Sequence, residues 1–333
     1  VEISDSRRID LPGISRKIIR KEYVYYDKNG KEITSEKTLN RIRALNIPSV
    51  YKDVWISPNP KSHIQGTALD SKGRRQYRYH PEWISARAEN KFEHMIEFGD
   101  ALPSLRKAVE KDFNQDGFTK RKIAATIVKF IEKSMIRIGN ESYVEQNGSF
   151  GLTTLRHKHV KKVTKNEVTL SFPGKSGVFH TITIEDAELA AMVKKLLDLP
   201  GQNLFQYEDE AGAYNAIQSQ VVNDYLSEMG NGDFSAKNFR TWNGTVKAAE
   251  EFWNAGMAEN EADAKKIIQS VMEAVSEKLG NTASIAKKSY VAPVIIDAYL
   301  NWNKLDEAFK TAKAKKTKGL SLGESAVLIL LQK

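Results

Sequence analysis

Near residue 84 the apolar residues stop alternating and begin to recur at every third or fourth position, which divides the chain into two kinds of structure. Before that point, short β-branched and aromatic runs are separated by turn signals. Residues 22–26 and 31–34 flank Asp27-Lys-Asn-Gly30, which predicts a hairpin turning at Asn29-Gly30. Residues 53–56 and 63–69 predict two further strands on either side of Ser57-Pro-Asn-Pro60. Asp70-Ser-Lys-Gly73 then turns the chain into a strand over 74–79. Residues 1–90 are therefore expected to form a small, mainly antiparallel β domain with a helix or two.

The second stretch, residues 91–333, is expected to be a larger, mostly α-helical domain, so the fold class is α+β. Helical spacing predicts helices over 84–99, 103–113, 119–137, 185–198, 213–229, 235–255, 261–279 and 290–315. Thr119 and Ser235 are placed to N-cap two of them. One segment interrupts the helices. Residues 168–184 alternate on both sides of Pro173-Gly-Lys-Ser-Gly177 and predict a single β-hairpin with Lys175 at its tip.

Charge and composition narrow the partners. Lys and Arg number 51 against 42 Asp and Glu, a net charge of +9, which suits a polyanion and equally suits plain solubility. Lys310, Lys313, Lys315, Lys316 and Lys318 read as a solvated basic face. With no cysteine, disulfides, thiolate nucleophiles and zinc–thiolate sites are excluded. No apolar run reaches the ~20 residues that span a bilayer, and residues 1–8 lack the apolar stretch of a secretory signal. The expected setting is inside a cell, without a membrane.

Tyr290 is the residue on which a chemistry can be built, because Arg137, Lys175 and Arg240 precede it. A phenol can attack phosphorus, guanidiniums can hold charge on phosphoryl oxygens, and an ammonium can protonate a leaving alkoxide. Together these groups suit reversible breakage of a phosphodiester. Singly, each residue has an ordinary explanation. Arg137, before the stop signals Gly139 and Asn140, suits a helix C-terminus. Lys175 suits a solvated turn. Lys237 and Arg240, three apart, share a helical face and form either a surface basic pair or a phosphate clamp. Asn281, in the break Gly280-Asn-Thr282, either caps a helix or donates its amide to an oxygen. A lone tyrosine is most simply a packed aromatic. No Gly-x-x-x-x-Gly-Lys-Ser/Thr loop and no clear carboxylate metal cluster is present, so no cofactor is called for.

Taken in order, a series of segments resembles the type IB DNA topoisomerases, in the compact form found in bacteria and some large DNA viruses. They are Val54-Trp-Ile-Ser-Pro58, Gly73-Arg-Arg-Gln-Tyr-Arg-Tyr79, Arg137-Ile-Gly-Asn-Glu141 and Gly151-Leu-Thr-Thr-Leu155. Further on come Phe172-Pro-Gly-Lys-Ser176, Lys237-Asn-Phe-Arg-Thr-Trp242, Leu279-Gly-Asn-Thr282 and Lys287-Lys-Ser-Tyr290. The resemblance implies relaxation of supercoiled duplex DNA through a covalent 3′-phosphotyrosyl link, without ATP or metal. Tyr290 would be the nucleophile, Arg137 and Arg240 would hold the non-bridging oxygens, and Lys175 would be the general acid with Lys237 assisting. Asn281 stands where the eukaryotic and poxvirus enzymes have histidine, so its role would be oxygen contact alone. Gln76, Tyr77 and Tyr79 match major-groove contacts, and Arg74, Arg75 and Arg78 lie near phosphates. The implied protein is a monomer clamping DNA, in a bacterial cytoplasm or, if viral, in a virion or host cell. The competing readings are a tyrosine recombinase, which usually carries His-x-x-Arg where this chain has Lys237-Asn-Phe-Arg240, and a non-catalytic DNA-binding protein on the same scaffold.

Overall fold

Asp27 makes the first turn that the sequence announces. Its carboxylate accepts from the N–H groups of Asn29 and Lys31, and Gly30 takes a left-handed conformation at φ 80°. A computed structural model of the chain describes residues 12–20 and 22–332, excepting the side chains of 85–93; the reading of residues 1–8 lies outside them. The chain divides into two compact units, Val1–Lys91 and Phe92–Lys333.

In the first unit, strands β1 (Ile14–Ile19) and β2 (Glu22–Tyr26) pair antiparallel, with Ser15 opposite Tyr26. The expected second arm of the Asn29-Gly30 hairpin shrinks to one bridge between Tyr26 and Glu32. The reason is local: β2 is already paired along its length with β1, and Ser35 opens helix α1 (Glu36–Ala44) three residues later. Strands β3 (Lys52–Ile56), β4 (Ile64–Leu69) and β5 (Arg75–Tyr79) complete an antiparallel sheet in the order β2-β1-β3-β4-β5. Its small core gathers Ile14, Ile42 and Ile56, against which Tyr25, Leu45 and Val54 pack.

Helix α2 (Pro81–Phe113) is continuous where the spacing predicts two helices, and it runs through Pro103. Proline there cannot donate to the Gly99 carbonyl, but Leu102 and Leu105 on either side are fully buried, so packing outweighs the lost bond. Helix α3 (Lys120–Ser134) starts as predicted, with the Thr119 hydroxyl accepting from the Lys122 N–H. It ends sooner than expected. Met135 takes the left-handed conformation that closes a helix (φ 54°), so Arg137 lies beyond it. Asn140 is likewise no stop signal; its side chain N-caps the next helix, α4 (Glu141–Asn147), by accepting from the Ser142 N–H.

The predicted hairpin is present as β7 (Glu167–Pro173) and β8 (Phe179–Glu185), paired in register with Phe172 opposite His180. It carries a third strand, β6 (Val160–Val163), in the order β6-β7-β8. Helix α5 (Ala187–Leu197) follows, and then a second short hairpin, β9 (Gln206–Glu208) with β10 (Tyr214–Ala216). Residues 214–216 are thus strand rather than the first turn of a helix. The Asp209 side chain closes the turn between these strands by accepting from the Ala211 and Ala213 N–H groups.

Helices α6 (Ser219–Gly230), α7 (Ala236–Ala255) and α8 (Glu261–Leu279) come next. A short helix, α9 (Ala283–Ser289), precedes Tyr290, and the predicted helix over 290–315 is two elements, α10 (Pro293–Leu300) and α11 (Trp302–Lys315). Pro293 fits the first turn of α10 but would break a helix entering from Tyr290. A last helix, α12 (Leu322–Leu331), has no counterpart in the spacing analysis. It buries Val327 and Leu330 in the main core. That core centres on Phe98, whose ring meets Phe234, Phe239 and Trp242 at 5.3, 4.9 and 6.1 Å.

Candidate active site

Arg240 lies on the first turns of α7 and is almost wholly buried, with 4% of its surface exposed. Its guanidinium donates to two carbonyls at helix ends. One is that of Met135, turned toward it by the left-handed cap of α3; the other, at 2.9 Å, is that of Leu279, the last residue of α8. Arg137 reaches the same place from the extended segment after α3. It donates to the Asn281 side-chain oxygen and, at 3.4 Å, to the Gly280 carbonyl. The Arg137 segment is itself pinned: Leu152 and Thr153 donate their N–H groups to the Arg137 and Ile138 carbonyls. A side chain at Gly151 would sit 2.5 Å from the Arg137 oxygen, which explains the glycine in Gly151-Leu-Thr-Thr.

Tyr290 meets these two arginines. It ends the short helix α9, whose N-cap Thr282 directly follows Asn281, and its ring lies under Arg240 at 5.1 Å from the guanidinium carbon. Thr245, fully buried on α7, donates its hydroxyl to the Tyr290 carbonyl at 3.0 Å and accepts from the Ala292 N–H at 3.1 Å. The two arginines are held by carbonyls and an amide oxygen rather than by carboxylates, so their charge is not neutralised among the described residues. Two donors are also left over: Arg240 Nε and Asn281 Nδ2 are buried without a hydrogen-bond partner. Unsatisfied buried donors cost about 1–3 kcal/mol each, and a bound oxyanion would supply their acceptors.

The charges tune one another. Burial pushes the Tyr290 phenol up, but the charge and hydrogen bonding of Arg240, with help from Arg137 and Asn281, outweigh it and hold the phenol below its ordinary value. Burial and the neighbouring Arg137 pull Arg240 down to about 10, so it stays charged at neutral pH.

Lys175 stands at the turn between β7 and β8 and is exposed. It lines the same shallow cavity as Arg137, Arg240 and Lys278. Lys237, one turn before Arg240, is exposed, whereas Arg240 is buried, so the pair does not act as one surface feature. The structure thus brings together Arg137, Arg240, Asn281 and Tyr290, with Lys175 on the rim.

The sequence comparisons complete the picture. The family model for the eukaryotic DNA topoisomerase I catalytic core matches residues 80–317, and that for the bacterial DNA topoisomerase IB N-terminal domain matches residues 22–70. The DNA topoisomerase 1B of Acanthamoeba polyphaga mimivirus is 31% identical over 298 residues, covering 87% of this chain and 88% of that protein. The DNA topoisomerase 1B of vaccinia virus (strain Copenhagen) is 24% identical over 301 residues, covering 85% and 92%. The chain belongs to the type IB DNA topoisomerases.

The substrate of this topoisomerase is accordingly duplex DNA, and none of its described helices is long and apolar enough to cross a membrane. On the edge strand β5 of its first unit, Tyr77 and Tyr79 stack at 6.1 Å and are both 39% exposed. Alternation puts Arg75 on their face and Gln76 and Arg78 on the other. The Gln76 amide donates to Asp70, Arg74 pairs with Asp70, and Arg75 pairs with Asp53. Arg78 is occupied by the Leu45 and Asn46 carbonyls.

Three residues of the topoisomerase's catalytic unit escaped the sequence analysis. Thr245 and Lys278 carry no motif signal, being an ordinary helix threonine and an ordinary last-turn lysine. His180 was findable, because the hairpin register sets it opposite Phe172 and beside the turn bearing Lys175.

Proposed function

We propose that this topoisomerase relaxes DNA through a covalent link at Tyr290. The phenolic oxygen attacks the phosphorus of one strand and gives up its proton to solvent. The bond from phosphorus to the 5′-oxygen breaks, and Lys175, assisted by Lys237, delivers a proton to that oxygen. The products are a 3′-phosphotyrosyl link and a free 5′-hydroxyl; reversal rejoins the strand, and because the ester energy is conserved neither ATP nor metal takes part. Arg137, Arg240 and Asn281 hold the non-bridging oxygens, where charge accumulates in the transition state. The observation that carries this reading is the Arg240 guanidinium over the Tyr290 ring, with Arg137 near enough to act on the phenol and both free of carboxylate partners among the described residues, while two buried N–H donors beside them lack acceptors.

In the same reading the first unit forms the other half of a monomeric clamp. Tyr77 and Tyr79, with Gln76, address the major groove, and Arg74 and Arg75 exchange their intramolecular carboxylates for phosphates. The enzyme acts wherever its DNA is, inside a cell. The deciding experiment incubates the protein with negatively supercoiled plasmid in EDTA without ATP and quenches with detergent. Relaxed circles with protein trapped on 3′ ends, both lost in Tyr290→Phe while DNA binding survives, are the expected result. Relaxation by the Tyr290→Phe protein would overturn the assignment, and adducts without relaxation would point to a recombinase.

A further inference from the structure

His180 is wedged between two glycines from opposite sides of the site. A Cβ added at Gly174, in the turn that bears Lys175, would lie 2.3 Å from the His180 ring, and one added at Gly280 would lie 2.2 Å from it. Real side-chain carbons never approach so closely, so both glycines are there to admit the ring. Gly280 also takes the left-handed conformation (φ 59°) that ends α8, and its carbonyl is the one that Arg137 contacts. The imidazole therefore fills the space between the Lys175 turn and the Gly280-Asn281 turn. Its ring rests on Phe172 at 5.5 Å across the hairpin, and it lines the cavity shared by Lys175, Arg137 and Arg240. Burial, with the charges of Arg137 and Arg240 next in weight, keeps it in its neutral form at neutral pH.

We infer that His180 is a positioning residue: its ring is the spacer that sets Lys175 at the height of the leaving oxygen, by bearing on the same turn that holds Asn281. Apart from this ring and the bond from the Phe150 N–H to the Pro173 carbonyl at its base, no hydrogen bond ties the hairpin tip to another element among the described residues. Val178 and Phe179 are exposed, and the turn is closed on itself by the bond from the Gly174 N–H to the Val178 carbonyl. With the ring removed, the tip is free to swing, and the ammonium no longer meets the 5′-oxygen at the moment the bond from phosphorus breaks. The nucleophile is fastened to α7 through Thr245, and Arg240 to the ends of α3 and α8, so both stay in place.

The inference rests on the reading of Lys175 as the proton donor, and one experiment separates the two. Single-turnover cleavage is measured on a duplex with the ordinary 5′-oxygen at the cut site and on one with sulfur in its place. When the bond from phosphorus to sulfur breaks, a thiolate departs without needing a proton, since a thiol is acidic near ~8.5 and an alcohol far less so. His180→Ala is expected to slow cleavage of the oxygen substrate by about 100-fold and to leave the sulfur substrate near the wild-type rate, the pattern also expected of Lys175→Ala. His180→Phe, a ring without nitrogens, is expected to restore most of the oxygen rate. Should His180→Ala fail to fold, Gly174→Ala displaces the ring and carries the same test. Equal losses on both substrates would overturn the positioning role, as would failure of the phenylalanine to restore activity. If Lys175→Ala were not rescued by sulfur, the proton-donor reading would fall instead.

Discussion

At the scale of single residues, Arg240 shows why the site uses guanidiniums. One planar group donates to the Met135 and Leu279 carbonyls and still faces Tyr290, which an ammonium on a flexible stem cannot do. Arg240→Lys keeps the charge, yet single-turnover cleavage should fall by about 100-fold or more while DNA affinity changes little. A loss of affinity equal to the loss of rate would mean that the residue serves binding alone. The phenol offers a second test. Because Arg240 and Arg137 outweigh the effect of burial, Tyr290 should ionise below the ordinary value near ~10. The phenolate absorbance lost in Tyr290→Phe should therefore appear at lower pH than that of the other titrating tyrosines. In Arg137→Ala the same transition should move up, because burial is then opposed by one charge fewer; no movement would remove Arg137 from the electrostatics of the nucleophile.

At the scale of elements, α12 is joined to the catalytic helices by a buried carboxylate. Glu324 accepts from Arg106 through both oxygens, at 2.6 and 3.0 Å, and from the Trp242 indole at 3.2 Å, two residues along α7 from Arg240. Burial raises the Glu324 pKa, but Arg106, the Ser321 N–H and Trp242 outweigh it and hold it below the usual carboxylate range. Its contribution is therefore complete above the unfolded glutamate value and fades as pH falls through the lower folded one. Glu324→Ala should cost about 2 kcal/mol at neutral pH, a value reduced because Arg106 is partly exposed. Urea unfolding should show that difference narrowing as the pH drops below ~4; a difference independent of pH would mean that packing, not charge, is what the mutation removes. What sequence reading recovered at this scale follows from how local each signal is. The Thr119 cap, the Lys175 hairpin and the Gly280 break are each settled within about four residues. Asn140 is ambiguous in sequence because the same side chain ends one helix as readily as it begins another, and here it begins α4. Tyr214–Ala216 takes its strand from pairing with Gln206–Glu208, and β6 takes its strand from β7; neither pattern is visible in its own few residues. Of the site, the cluster of Arg137, Arg240, Asn281 and Tyr290 was legible through the resemblance. Thr245 acts through a contact 45 residues away in sequence, and His180 meets Gly280 from another element, which spacing does not encode; only the place of His180 beside the Lys175 turn is legible from the hairpin register.

At the scale of the whole molecule, the net charge of +9 and the uncompensated arginines make DNA capture a matter of phosphates. If the clamp engages about six of them, the binding constant of the Tyr290→Phe protein for duplex should fall with salt at a log–log slope near −5, about 0.9 per phosphate. A slope shallower than about −2 would leave too few contacts for two units to share. In the proposed reaction, supercoiling torque would pull on a strand esterified to Tyr290. Here Thr245 has a mechanical consequence. By gripping the Tyr290 carbonyl and the Ala292 N–H, it fastens both sides of the tethered residue to α7, the helix that carries Arg240. Force arriving through such a link would pass into a 20-residue rod instead of deflecting a loop, so tyrosine and arginine would be displaced together and the broken end would stay aligned for resealing, however many turns the free end makes.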